Sequence, residues 1–307
     1  MTLASTVVMV EPRDFGFNED TAVDNAFQHH PDGTDAQVQK QALVEFWRMV
    51  EQLDKHHLNV ITLNSPDGVK VPDAVFPNNW FSTTSSELIL YPMKADSRQL
   101  EPQPAKLNTE LSAHGFITPE IIDLRADSAF PGILEGTGAL VFDQSTNTVY
   151  ANLSERCELQ TLLAFTERFD LDVQLLKART NQSVPIYHTN VLMAIGAEFA
   201  VIASATLTQE ACNSLSLQAL KDKKPDVIEI SEQQMVESFC GNIIQLQSSR
   251  GEALIVMSES ARRGFSKEQI TILERHGTIV PTSIDTIEYV GGGSARCMIA
   301  EIFLQKA

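Results

Sequence analysis

The sequence is short of positive charge. Its 307 residues carry 23 Lys and Arg against 40 Asp and Glu, a formal net charge of −17. A protein that lives on phosphate neutralisation needs a basic field. Nucleic acid and anionic membrane are therefore poor partners, whereas a cationic or zwitterionic small molecule is compatible. Long apolar runs are missing too. The longest, residues 191–205, is broken by Glu198 and falls short of the roughly 18 residues of a membrane span. The N-terminus lacks a basic region and a sufficient apolar stretch for a signal peptide, so the expected location is cytoplasmic. Cysteine is scarce: four residues, at 157, 212, 240 and 297, with no Cys-x-x-Cys pair. That argues against a zinc or disulfide framework. Gly (15) and Pro (13) are at ordinary levels and 43% of residues are apolar, which excludes a fibrous or a disordered chain.

What is present is a recurring unit. Five times an aromatic or apolar residue leads into a Gly- or Asn-rich break and then a strand-like run. The breaks fall near 76–79, 135–138, 187–190, 240–242 and 291–297, roughly 50 to 60 residues apart, as in an array of repeated units. Helical periodicity precedes several of them: Ala42, Leu43, Phe46, Trp47, Val50 and Leu53 within 36–53, and Leu159, Leu162, Leu163 and Phe169 within 155–169. Ser266 to Gln269 reads as a capping box. Short strands are expected at 59–63, 120–124, 172–176, 226–230 and 278–280, with hairpins at 81–90 and 141–150. The fifth copy ends with the chain near Leu304. Its missing strand can come from Val7-Val8-Met9-Val10, closing a ring without exposed edges. The expectation is one α/β domain over 1–307, a closed ring of five helix–strand–break–strand–strand copies.

Several residues at the breaks could carry chemistry. Cys297 follows Gly291-Gly292-Gly293-Ser294-Ala295-Arg296. The glycines permit close backbone approach and could offer N–H donors to an oxyanion, and the charge of Arg296 would favour a thiolate. Cys157, Cys212 and Cys240 read as core residues. His188 lies in a break, where loops of a ring converge, and a cysteine nucleophile needs such a partner. Glu135 is a carboxylate inside an apolar run, so it either faces solvent or is a paired acid. Asn78, Asn79, Asn190 and Asn242 recur at the breaks, where turn chemistry also favours asparagine.

Taken together, Phe76-Pro77-Asn78-Asn79, Glu135-Gly136-x-Gly138, Ser154-Glu155-Arg156, His188-x-Asn190 and Gly292-Gly293-x-x-x-Cys297-Met298 resemble the arginine deiminase superfamily. Residues 11–18, ending in Asn18, and Asn25-Ala26-Phe27 add a likeness to its citrulline-utilisation hydrolase branch, the citrullinases, which are loosely called amidinotransferases. The resemblance implies the pentein fold, a five-bladed pseudo-symmetric α/β propeller of ββαβ modules. It also implies a catalytic set of Cys297, His188 and Glu135, and a substrate-binding set of Asn78, Asn79, Asn190, Arg156, Phe76, Asn18, Gly292 and Gly293, with Arg156 as the carboxylate clamp. Guanidine-modifying members carry Asp where Asn79 and Asn190 stand, and an Asp where Gly138 stands. A carboxamide has both a donor and an acceptor and suits a neutral ureido group, whereas a guanidinium has donors only.

The resulting expectation is a cysteine hydrolase of citrulline. Cys297 attacks the ureido carbon, His188 protonates the leaving ornithine amine and then activates water, and Glu135 holds His188 or the substrate nitrogens. An S-carbamoyl intermediate yields ammonia and CO₂. No metal or organic cofactor is required, and the partner is a small amino acid, with a homo-oligomer left open. Two rivals stand beside this reading. One is a guanidine-modifying enzyme: an arginine deiminase, dimethylargininase or amidinotransferase. The other is a non-catalytic pentein binding protein.

Overall fold

The computed structural model describes residues 3–307. Its strands are β1 (Thr6–Glu11), β2 (Asn59–Asn64), β3 (Phe81–Thr83), β4 (Glu87–Leu90), β5 (Glu120–Asp123), β6 (Leu140–Asp143), β7 (Thr148–Asn152), β8 (Asp172–Leu176), β9 (Met193–Ile195), β10 (Phe199–Ile202), β11 (Asp226–Glu229), β12 (Ile244–Gln247), β13 (Ala253–Ser258), β14 (Thr278–Thr282) and β15 (Ala300–Glu301). They form five three-stranded sheets, β3-β4-β5, β6-β7-β8, β9-β10-β11, β12-β13-β14 and β15-β1-β2. In each sheet the first pair is antiparallel and the second parallel, as in Phe81↔Leu90 and Leu90↔Asp123. A parallel neighbour requires a crossover. The helices Asp35–Lys55, Pro104–Ala113, Leu159–Arg168, Ala211–Lys223 and Lys267–Glu274 supply one for each sheet. Five copies of this unit build a five-bladed, pseudo-symmetric α/β propeller.

The N-terminal run does close the ring. β1 pairs antiparallel with β15 through Val7↔Glu301 and Val8↔Ala300. It pairs parallel with β2 from Thr6↔Asn59 to Glu11↔Asn64. β1 is thus the middle strand of its blade. Val7, Val8 and Met9 are fully buried, so neither edge of the first strand meets solvent.

Helices seal the outside of the ring. The helix Asp35–Lys55 opens with a capping box of Thr34 and Gln37. It buries Ala42, Phe46, Met49 and Leu53 in a cluster with Val7, Met9, Leu254 and Val280, while Trp47 is half-exposed. The Ser266–Gln269 capping box forms as the sequence indicates. The segment 155–169 differs. Its helix starts only at Leu159, because residues 154–157 form a bridged turn, Ser154↔Cys157 and Leu134↔Cys157. The buried face is then Thr161, Leu162, Phe165 and Thr166, and Leu159 and Leu163 lie outside. No helix among the described residues is long and apolar enough to cross a membrane.

The inner strands surround the axis. At their hairpin end they line a cavity of about 490 Å³ with Phe81, Val141, Ala194, Ile244 and Glu301 in its wall. At the opposite end, tight turns lead into the inner strands: Pro77–Asn79, Gly136–Ala139 and Thr189–Leu192 pack against one another. The segments of Asn242 and Cys297 are the corresponding lead-ins of the last two blades.

Candidate active site

These lead-in turns bring together residues that are far apart in sequence. Cys297 is 4% exposed, at the end of a loop braced by Cys297 N–H to Ser294 O (2.9 Å). Its sulfur receives two amide N–H groups, from Asn190 Nδ2 at 3.4 Å and Asn242 Nδ2 at 3.3 Å. Asn242 cannot turn away, since its Oδ1 accepts the Arg296 backbone N–H at 3.0 Å and its Nδ2 also reaches Asn190 O at 2.8 Å. Two residues before Asn190, His188 places Nε2 2.7 Å from Oε2 of Glu135.

The electrostatics fix the state of this pair. Burial works against the Glu135 carboxylate, but the charge of Arg156, the His188 hydrogen bond and the field of Arg98 outweigh it and hold Glu135 well below the usual carboxylate range. Burial also favours the neutral imidazole of His188 and outweighs Glu135, so the ring sits below the ordinary histidine value. An ionised carboxylate accepts only, so Nε2–H donates to it and Nδ1 keeps its lone pair. That Nδ1 packs against Gly138. A Cβ at Gly138 would stand 2.9 Å from it and 2.2 Å from Nδ2 of Asn79. Nδ2 of Asn79, both polar atoms of the Asn78 side chain, Oδ1 of Asn190 and Oδ1 of Asp73 are buried without a hydrogen bond. Such orphans are rare in a packed fold.

Glu135 is also the inner end of an ion chain to the surface. Its Oε1 accepts the Lys94 backbone N–H at 3.0 Å, and Oε2 lies 3.5 Å from Nη1 of Arg156. Arg156 pairs through two nitrogens with Asp24, stacks over the Tyr187 ring at 4.8 Å, and Asp24 in turn meets Lys94 Nζ at 2.7 Å. Lys94 ends the chain on exposed Glu155. Arg156 is aimed inward by the bridged turn of 154–157, which also bonds Glu135 N to Arg156 O at 3.1 Å.

Other sequence-selected residues play supporting parts. Gly292 is a correction: its N–H is spent on Glu288 O (2.9 Å) and its carbonyl on the Tyr187 hydroxyl (2.6 Å), so neither is free for an oxyanion. Its φ of +63° explains the glycine. Gly291 and Gly293 lie on the Phe76 ring, where a Cβ would come within 2.9 Å, so Phe76 is the floor of the glycine loop. Asn18 caps the helix Glu19–Ala22 and donates to Asp73 Oδ2 (2.8 Å) and Ser97 Oγ (3.1 Å). Arg296 is also corrected. Its guanidinium goes to Glu301 (3.0 Å) and Ile299 O (2.8 Å), where the Glu301 carboxylate takes up the charge expected to act on Cys297. Three participants escape sequence reasoning, Arg98, Asp73 and Asp24, whereas Asn242 is singled out at its break.

The chain matches the family model described as N,N dimethylarginine dimethylhydrolase, eukaryotic, over residues 11–304. No curated protein sequence gives a significant match. Among solved structures it is similar to apo ArgZ, an arginine dihydrolase from the ornithine-ammonia cycle in cyanobacteria. The TM-score is 0.74 at 16% identity, covering 98% of this chain and 41% of that one. It therefore spans well under half of that protein, but 97% of its N-terminal domain in a substrate-bound mutant (TM-score 0.73, 17% identity, 96% of this chain). It is also similar to the dimethylarginine dimethylhydrolase (DDAH) of Pseudomonas aeruginosa in complex with citrulline, with a TM-score of 0.66 at 15% identity over 98% of this chain and 100% of that one. At these identities the likeness establishes the fold. The family match goes further: this chain belongs to the N,N dimethylarginine dimethylhydrolase, eukaryotic family, within the arginine deiminase-like superfamily.

Proposed function

We propose that the protein is a cysteine-dependent C–N hydrolase acting on the planar terminal carbon of an amino acid, and that this end is a ureido group, as in citrulline. Cys297 gives its proton to Nδ1 of His188 and attacks that carbon. The oxyanion is held by side-chain amides, the Gly292 N–H being spent on Glu288 O. His188 passes the proton to the leaving δ-nitrogen as the C–N bond breaks, freeing ornithine and leaving an S-carbamoyl enzyme. His188 then takes a proton from water, the hydroxide adds to the carbamoyl carbon, and the thiolate leaves with carbamate, which decomposes to ammonia and CO₂. Glu135 stabilises the imidazolium in both steps. Arg156 is the anchor for the substrate carboxylate, in competition with Asp24.

The observation that carries the ureido reading is the chemistry of the orphans beside Cys297. Apart from Asp73 they are carboxamides, Asn78, Asn79 and Asn190, and Glu135 is committed to His188 and Arg156. A guanidinium brings donors and a full charge and would want carboxylates there. The guanidino reading has its own support in the names of the family and its structural relatives, and in the free carboxylate oxygen of Asp73. Incubation with citrulline, arginine and dimethylarginine separates the two, with ornithine, ammonia and citrulline as readouts. Ornithine and ammonia from citrulline support the proposal. Turnover confined to the guanidino compounds replaces it.

A further inference from the structure

The orientation of the Asn79 amide is imposed from behind the site. Arg98 is 2% exposed. Its Nε donates to Glu101 Oε1 at 2.8 Å, and Nη2 to Glu101 Oε2 at 2.9 Å and Phe76 O at 3.1 Å. Its Nη1 donates to Oδ1 of Asn79 at 2.6 Å. A guanidinium carries donors only, so the atom of Asn79 that faces it has to be the carbonyl oxygen. Nδ2 is thereby turned towards Gly138 and His188, where it has no partner. A fixed donor at that point pairs with a carbonyl oxygen and meets a guanidinium N–H head-on. Glu101, itself buried, makes a two-pronged pair with the Arg98 fork, so the cation need not seek a substrate carboxylate.

We infer that Arg98 and Glu101 form a positioning pair that sets the amide polarity of Asn79, and through it the preference for a carbonyl-bearing end over a guanidinium. The inference rests on the reading of Asn79 as a substrate contact. An amide freed from Arg98 rotates to suit either ligand, so discrimination falls even where overall activity survives. This separates positioning from a merely structural role, which would lower both arms together.

The test is Arg98→Gln combined with Glu101→Gln, which removes both charges and puts an amide that can donate or accept behind Asn79. The readout is kcat/KM for citrulline together with the inhibition constant of arginine as a competitor. The expected result is a loss of at least about tenfold in the ratio of the two, with arginine binding tighter than to wild type. An unchanged ratio, whatever the loss of activity or melting temperature, overturns the pair's role. Wild type turning over arginine in preference to citrulline overturns the substrate reading instead. If the double variant does not fold, the Asn79 side-chain amide protons answer in labelled Cys297→Ala protein, assigned by their loss in Asn79→Ser. Citrulline should slow their exchange and arginine should not. An equal response to both shows a freely turning amide and overturns the proposal.

Discussion

Nε2 of His188 lies 2.7 Å from Oε2 of Glu135, and the carboxylate that receives it is wholly buried. The contact chooses the tautomer and leaves Nδ1 as the only basic atom of the ring. Glu135→Gln can present either an oxygen or an NH₂ to the ring and leaves Arg156 with one fewer carboxylate. The expected outcome is a fall in kcat of at least about 10²-fold, with a lower melting temperature. Steady-state kinetics and a thermal melt read the two effects separately.

Cys297→Ala and Cys297→Ser should both abolish turnover and lower the melt only modestly, since each changes a single buried atom of the core cluster that makes only weak amide contacts. Intact-protein mass spectrometry after rapid quench should find a carbamoyl-sized adduct on wild type and none on either variant. Substantial activity in Cys297→Ala would end the covalent mechanism.

Asn79→Asp together with Asn190→Asp replaces two amide donors by acceptors: Arg98 can meet one oxygen of the new carboxylate at 79, but its other oxygen and the carboxylate at 190 have no donor when citrulline is bound. Burying unpaired charge is costly, and polar mismatches in such sites discriminate by up to about 10⁴-fold. Citrulline hydrolysis should fall by at least about 10²-fold, and arginine should gain measurable affinity by calorimetry. Normal citrulline hydrolysis in the variant would return both asparagines to ordinary turn residues.

Gly138→Ala tests the close packing of Asn79 and His188 against Gly138. Its Cβ would sit 2.2 Å from Asn79 Nδ2 and 2.8 Å from Cε1 of His188, so both groups have to shift. Activity should drop at least about tenfold, on the scale expected when reacting groups are misplaced. Kinetics on Gly138→Ala and Gly136→Ala together are informative, because the second also clashes, but with the Asn78 and Asn79 backbone, and should cost chiefly stability.

The glycine loop carries a pH dependence of stability. Burial pushes Glu288, which accepts from the Ser294 hydroxyl, up from the ordinary 4.5 to about 7. The folded state therefore holds this proton more tightly than the unfolded chain. The contribution is complete below about pH 4.5 and is lost as pH rises through about 7. Glu288→Gln should raise the melting temperature by a few degrees, about the shift expected for 1 kcal/mol, at pH 8 and not at pH 5. Parallel melts of wild type and variant at the two values read the difference.

The blades were legible because each break is written in residues with local backbone reasons: Asn, Gly and Pro ahead of short β-rich runs. The pairing of β1 with β15 was legible because an incomplete last unit matched a surplus first strand. The helix at 155–169 was misread at its start because local periodicity cannot register the bridge Leu134↔Cys157, a contact between different units of the repeat. The same limit hid Arg98 and Asp73. Both lie between the motifs, and their meaning depends on Asn79 and Asn18, which only the fold brings beside them. Glu135 was visible as a charge in an apolar run, but not the partners that keep it ionised.

The blade made of β15, β1 and β2 gives the ring a history as well as a shape. β1 is made long before β15, the strand that covers its open edge. Until residues 300–301 arrive, β1 offers unpaired backbone groups to any passing strand. Four blades can assemble during synthesis, but the ring itself is sealed only once β15 has been made. A nascent chain stalled before β15 is therefore the species most exposed to strand addition by its neighbours.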